Sequence, residues 1–278
     1  MDTAALAAPP PPLPPFGALL RDWRRRRRLS QLDLACEAEV SARHLSWVET
    51  GRSTPSREMV LRLAERLGVP PRERNALLVA AGHAPMYPER PLSDPALRAA
   101  REAVSRVLAA HDPYPALAVD RRWTLVEANA ALPPLLAGVE DAALLAPPLN
   151  VLRLGLHPRG LAPRIVNLAE WRAHLIGRLA HEAALTASPA LVSLLAELRA
   201  YPAPPPLPRA AIPDPLATVA VPLRLRVEGR AEPLSFLGTT TVFGTAVDVT
   251  LSELCVEAFL PADAATAEAL RAMAAARA

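Results

Sequence analysis

Side chains able to do chemistry fall into two kinds here, and the first is soon exhausted. His174 and His181 stand seven residues apart, two helical turns along an axis, too far for easy joint chelation of a metal. His181-Glu182 lacks the second histidine of a metalloprotease helix, and no GxSxG elbow, phosphate loop or GxGxxG turn occurs. With no nucleophile, base and orienter in a recognisable set, the chain reads as no enzyme, with no metal and no cofactor. The second kind is cationic and clustered. Arg24 to Arg28 are five consecutive arginines, and Gln31, Ser41, Arg43, His44, Trp47, Arg52 and Ser53 follow closely. Such residues suit phosphate oxygens and base edges.

Charge separates this cluster from the rest. Residues 16–82 hold 13 Arg against 8 Asp plus Glu, a net of +5, whereas the whole chain carries +3, leaving about −2 for the remainder. A basic module joined to a near-neutral larger one implies one polyanion-facing part and one with another task. All 31 basic residues are arginine, which fits a GC-rich genome better than any arginine chemistry. Cys36 and Cys255 are far apart, as expected in a reducing cytoplasm. The first twenty residues have no basic leader region, and no apolar run reaches the roughly 18 residues a spanning helix needs. A cytoplasmic protein without membrane association is expected.

The elements that must position these residues are legible from start and stop signals. Residues 1–15, with six prolines, read as a disordered tail. Five helices are expected over 16–82: Phe16 to Arg27, Gln31 to Ala38 after Ser30, Ala42 to Thr50 after Ser41, Arg57 to Leu67 after Ser56, and Pro71 to Ala81. Gly51, Gly68 and Gly82 stop the last three. Residues 83–95 read as a proline-rich linker. A helix then starts at Asp94-Pro95 with Leu97, Ala100, Val104 and Leu108 at helical spacing. Two short strands, ALAV and TLVEA, flank an Asp-Arg-Arg turn, and helices fill much of 130–200. Three strand-like runs follow (217–228, 234–244 and 253–261), then a helix over 262–276. This α+β order over 96–278 is compatible with one sheet covered on a face.

Residues 30–52 form a helix, a tight turn and a second helix. Leu32, Leu34 and Ala35 are expected inward on the first, Val40 in the turn, and Leu45 and Val48 inward on the second. Ala42, Arg43, His44 and Trp47 then face outward at the N-terminal end of the second helix, where a recognition helix meets the major groove. Trp47 has a competing place in the core, and His44 a competing place as an exposed phosphate contact. The stretch resembles the XRE-type helix-turn-helix family through Ser30-Gln31, Leu34-Ala35, Val40-Ser41, Glu49-Thr50-Gly51-Arg52 and Pro55-Ser56. Glu39 stands where that family has a turn glycine, which implies positive φ at Glu39 or a different path. The resemblance implies phosphate contacts from Gln31, Arg52 and the amides near Ser41 and Ser53. It implies base contacts from Ala42, Arg43, His44 and Trp47, and an ion pair of Arg24 with Glu49. Partners implied are a double-stranded operator, an inverted repeat, bound by a homodimer.

Helical geometry then divides the arginine run. Phe16, Leu19, Leu20 and Trp23 share one side, so Arg25 and Arg28 point to solvent and Arg24 borders the apolar stripe. Arg26 and Arg27 stay open.

Residues 94–276 resemble the MmyB-like ligand-binding domain, a PAS-like module, through RERNALLVAAGHAP, YPALAVDRRWTLVEANAA, NVLRLGLHPRGLAPRIVNLAEWRAHL and FGTAVDVTLSELCVEAFLPAD. That resemblance implies a regulator sensing a small apolar ligand, a fatty acid or acyl compound. Asn150, Arg153, Asn167, Trp171 and His174 are the candidate contacts. Arg153 has a salt bridge as its alternative and Trp171 a core position, while Asn129 reads as a local cap. The alternative for the larger domain is a protein-interaction module or an enzyme of unfamiliar type.

Overall fold

The structure is a computed structural model describing residues 14–186, 188–202, 221–243 and 248–277. Residues 1–13 of the tail expected over 1–15, the proline-rich stretch from 203 and the first residues of the strand expected at 217 lie outside the described residues. The chain divides into two compact units, Met1–Glu89 and Arg90–Ala278.

The first unit is helical: α1 (Phe16–Arg26), α2 (Gln31–Glu37), α3 (Ala42–Glu49), α4 (Arg57–Arg66) and α5 (Pro71–Ala80). Short polar side chains start the middle three. Ser30, Ser41 and Ser56 each accept a hydrogen bond from the amide three residues on, and the Asp33 carboxylate accepts one from the Ser30 amide at 2.9 Å. All five stop alike. In each, the residue after the C-cap has positive φ, and the next amide reaches back to the carbonyl five residues earlier, as in Leu29 to Arg24 and His83 to Leu78. Glycine fills this left-handed place at 51, 68 and 82, whereas Arg28 and Glu39 hold it with φ of 57° and 56°. Glu39 thus takes the positive-φ path, the first of the two expected for it, in the backbone shape glycine adopts most readily.

Inward residues build one core of Leu20, Leu34, Leu45, Val60, Leu63 and Leu78. Leu32 departs from expectation: it is 62% exposed. It falls between the turns that place Leu34 and Ala35 inward, about 200° from Leu34 at 100° per residue. Gly17 lets α1 lie directly on the end of α3, since a Cβ there would collide with the Glu49 carbonyl oxygen. Residues after α5 fold back onto it. Asn75 donates to the Tyr87 carbonyl at 2.6 Å and accepts from the Met86 and Tyr87 amides at 2.9 and 3.0 Å.

The second unit is α+β. After a 3-10 turn, α6 (Arg98–Ala110) leads to β1 (Ala116–Val119), β2 (Leu125–Ala128), α7 (Pro133–Leu136) and α8 (Val151–Leu156). Then come α9 (Leu168–Thr186), α10 (Pro189–Ala200), β3 (Leu223–Leu225), β4 (Leu234–Val242), α11 (Val249–Ser252), β5 (Cys255–Pro261) and α12 (Ala264–Ala275). The sheet runs β2-β1-β5-β4-β3, antiparallel throughout.

Both faces of its middle are covered, not one. The ALAV run of β1 is buried at all four positions, the pattern of a strand packed on two sides. Leu117 and Val119 join the core under α8, α9 and α10, while Ala116 and Ala118 pack with Val256 and Ala258 against Val104 and Leu108 of α6. Burying these two α6 side chains contributes about 1.5–3 kcal/mol each. Among the described residues no helix is long and apolar enough to cross a membrane.

Candidate functional site

In the helical unit α3 presents its N-terminal half outward. Ser41 caps it by accepting from the His44 amide at 3.1 Å, which fixes where Ala42 and Arg43 emerge. Arg43 and Trp47, one turn apart, pair on the surface, the guanidinium carbon 4.7 Å from the ring centre. Trp47 is 37% exposed, so it stands outside the core and its alternative core position is not the one taken. Arg52 is also exposed, and the amides of Arg52 and Ser53 are both turned to the Trp47 carbonyl, at 2.8 and 3.3 Å.

Behind that face lies Glu49, its side chain fully buried. Arg24 grips it with two hydrogen bonds, Nε to Oε1 at 2.6 Å and Nη2 to Oε2 at 2.9 Å. Gln31 Nε2 donates to Oε2 at 2.8 Å, and Arg21 donates to the Glu49 carbonyl oxygen at 2.9 Å. Burial alone would raise this carboxyl, but the Arg24 and Gln31 hydrogen bonds and the Arg24 and Arg21 charges outweigh it and hold it below its ordinary value. α1, α2 and α3 are fastened at one point. The remaining arginines split further: Arg27 donates to the Leu67 carbonyl at 2.7 Å at the end of α4, Arg26 pairs with Asp22, and Arg25 and Arg28 are exposed.

The second unit holds a cavity of about 160 Å³ between the sheet and its helical roof, room for roughly five to six methylene-sized groups at about 30 Å³ each. Its walls are apolar: Leu117, Leu135, Leu152, Ile165, Trp171 and Phe236 among them. Among the described residues three ionisable side chains, His174, Arg178 and Glu257, also line it. Strand alternation explains the carboxylate. Glu257 shares a sheet face with Cys255 and Phe259, opposite Leu117 of β1 and Thr240 of β4 in the register.

Arg178 of α9 clamps Glu257, Nη1 to Oε2 at 3.0 Å and Nη2 to Oε1 at 2.6 Å. Thr240 Oγ1 donates to Oε1 at 3.1 Å, and the Cys255 thiol lies 3.2 Å from the same oxygen. Burial first, then the Glu257 charge, push that thiol up to about 12. The Arg178 guanidinium lies 4.6 Å from the Trp123 ring centre, and Trp123 Nε1 donates to Glu182 at 3.0 Å. Burial raises the Glu182 carboxyl despite that bond. Burial first, then the Arg178 charge, lower His174, whose ring lies 5.5 Å from Trp171. Trp123 has φ of 62°, a costly shape for a bulky residue, held by packing and by the Asp120 turn.

Of the candidates read from sequence, the cavity brings together Trp171 and His174. Asn150, Arg153 and Asn167 lie outside its lining, engaged elsewhere. Asn150 caps α8 and donates to the Arg122 carbonyl at 2.7 Å; Asn167 bridges the Pro222 carbonyl and the Arg224 amide at 2.7 and 3.1 Å. Arg153 takes its alternative, a two-pronged pair with Glu197 at 2.7 and 2.8 Å. Asn129 is not the local cap expected: it accepts from the Ala116 amide at 3.0 Å and donates to the Tyr114 and Leu108 carbonyls at 2.8 and 3.3 Å, joining the start of β1 to the end of α6.

Residues 100–273, well over half the chain, match the MmyB-like transcription regulator ligand binding domain. The chain belongs to the MmyB-like transcription regulators. Residues 15–77 match a helix-turn-helix domain family. The uncharacterized HTH-type transcriptional regulator RghRB of Bacillus subtilis (strain 168) is 40% identical over 76 residues, 27% of this chain and 52% of that protein. The chain thus spans about half the length of that curated relative. The crystal structure of the clp gene regulator ClgR from Corynebacterium glutamicum is 29% identical, with TM-score 0.22, over 37% of this chain and 99% of that one.

The cavity of this MmyB-like regulator falls inside the matched ligand-binding domain. Sequence reading missed Arg178, Glu257 and Trp123. One signal was present: Arg178 lies four residues after His174 and seven after Trp171, the spacing of one helix face. Another was Glu257, a carboxylate inside the apolar strand CVEAFL.

Proposed function

We propose that this chain is an XRE-type, sequence-specific DNA-binding regulator whose PAS-like second unit senses a small apolar ligand, a fatty acid or other acyl compound. The observation that carries the sensing half is the cavity, which among the described residues is apolar on its walls and polar where His174, Arg178 and Glu257 meet. Trp171 and Trp123 serve as walls of that pocket. In the DNA-binding half, Ala42, Arg43, His44 and Trp47 face base edges from the exposed start of α3. Phosphate contacts come from Arg52, the Ser41 amide and the Ser53 hydroxyl. Gln31, with one N–H given to Glu49, offers phosphate its second. One such helix makes few base contacts, so a homodimer on an inverted repeat, in the cytoplasm, is the form that reaches useful affinity. Residues 83–95 act as the connection between a domain over 16–82 and one over 96–278. The chain works as a regulator, not an enzyme.

Gel shifts on the DNA upstream of its own gene test the first half. Arg43→Ala should cost about 1–3 kcal/mol of specific binding, and Arg25→Ala should only reduce the salt slope, by about 1. Unchanged binding after Arg43→Ala sinks the assignment of α3. Native mass spectrometry of the purified protein tests the second half through a co-purified acyl compound.

A further inference from the structure

The chain that joins the two units is pinned on both sides of the point where one gives way to the other, between Glu89 and Arg90. In the first unit, Asn75 of α5 holds the Tyr87 carbonyl and the Met86 and Tyr87 amides, and Arg74 donates to the Tyr87 hydroxyl at 3.1 Å. Arg72 pairs with Glu89, the last residue of that unit. In the second unit the very next residue is already fixed. The Arg90 guanidinium pairs with Asp248 at 3.1 Å, and its carbonyl oxygen accepts from Thr250 Oγ1 at 2.6 Å. Asp248 is buried, and its other oxygen caps α11 by accepting from the Thr250 amide at 2.9 Å. Arg101 of α6 then donates to the Leu92 and Asp94 carbonyls.

What this second half rests on leads to the cavity. Leu92 packs against a cluster that includes Leu254 and, from β5, Val256 and Ala258. Successive residues of a strand face opposite ways, so Glu257, between those two, lines the cavity from the other side of the sheet, as does Phe259. β5 thus has the connector on one face and the cavity on the other. α11, whose cap holds Arg90, runs into β5 after only Glu253 and Leu254. Close-packed interiors pass a displacement on rather than absorb it.

We infer that residues 84–94 are a coupling strap: occupancy of the cavity moves β5 and α11, the strap carries that movement to α5, and DNA affinity changes in response. The Glu89–Arg90 peptide is the joint between its two anchored halves. This rests on the reading of the cavity as an acyl-ligand site and adds the route by which its occupancy reaches the DNA-binding unit.

The test uses the full chain, stripped of bound lipid, with dodecanoate as the probe and the DNA upstream of its own gene as the target. Dodecanoate should shift the DNA affinity of the unmodified protein by at least about fivefold, and the DNA should shift dodecanoate affinity by the same factor. Inserting Gly-Ser-Gly-Ser between Glu89 and Arg90 leaves every anchor in place and gives the joint roughly 11 Å of reach. The inserted chain should bind dodecanoate as the unmodified protein does, but the mutual shift should fall to about one. Arg90→Ala with Thr250→Val frees the second half of the strap and should shrink the shift in the same direction. Gly155→Leu fills the cavity without a ligand. It should alter DNA affinity in the otherwise unmodified chain and leave it unaltered in the inserted one.

An inserted chain that keeps the full shift overturns the strap, since coupling then runs elsewhere, as through contacts between copies. Dodecanoate that binds the unmodified protein without altering its DNA affinity overturns it too, while the acyl-site reading stands. Where dodecanoate does not bind, that reading fails and Gly155→Leu decides the strap: DNA affinity equal to that of the unmodified protein overturns it.

Discussion

Glu49 and Glu257 are two buried carboxylates, each held by two hydrogen bonds from one arginine, and they do different work. Glu49 ends a helix in a unit whose core is closed around it; Arg24, Gln31 and Arg21 take its oxygens, and α1 rests on its backbone through Gly17. Glu257 stands mid-strand with a cavity on one side. The same chemistry thus fastens three helices in one unit and sets the polarity of a pocket in the other. What surrounds an ion pair, more than the pair itself, decides whether it is a fastener or a site.

The largest expected effect separates the two. Arg24→Ala leaves Glu49 buried without its main partner and should cost about 3–5 kcal/mol in a urea melt of the helical unit. The sign of the pH dependence follows from the depressed Glu49 carboxyl: its contribution is complete above its ordinary value of 4.5 and is lost as pH falls through its lower folded value. Acid titration of the Arg24→Ala melt should accordingly be flatter than that of the unmodified protein. Glu257→Gln should cost less, about 1–2 kcal/mol, because the amide keeps one oxygen for Arg178 and the cavity lets solvent reach the guanidinium. Equal losses for the two would erase the distinction.

Gly155 sharpens the contrast from the cavity side. It lines the cavity in α8, and an added Cβ would meet nothing within 4 Å. Gly155→Leu should fill the space and abolish acyl-compound binding by native mass spectrometry, while shifting stability by no more than about 1 kcal/mol. The smallest effect belongs to the helical unit. Glu39→Gly relieves positive φ at the α2 stop and should stabilise that unit by about 1 kcal/mol in the same melt.

Local features were the legible ones. Ser30, Ser41 and Ser56 marked three helix starts because an N-cap is decided by its own residue and the next three. Each of the five expected helices ran one residue too long, and in each case that residue is the C-cap, half inside the helix by geometry. Long-range pairing was not legible. Arg178 and Glu257 are 79 residues apart, and Arg153 and Glu197 are 44 apart. Nothing local says which arginine meets which glutamate; Arg24 found Glu49 through resemblance alone. Asn150 and Asn167 misled for a related reason. A buried Asn reads the same whether its amide serves a ligand or, as here, the nearby backbone.

The two cysteines, met first as a hint about compartment, give the molecule a ready handle. Cys36 is exposed on α2, in the helical unit, whereas the Cys255 thiol, pushed up to about 12 beside Glu257, has almost no thiolate at neutral pH. A thiol-directed dye added to the unaltered protein should therefore mark the helical unit alone. Its fluorescence would report on DNA at one end of the chain while a ligand is titrated into the other, with no residue changed.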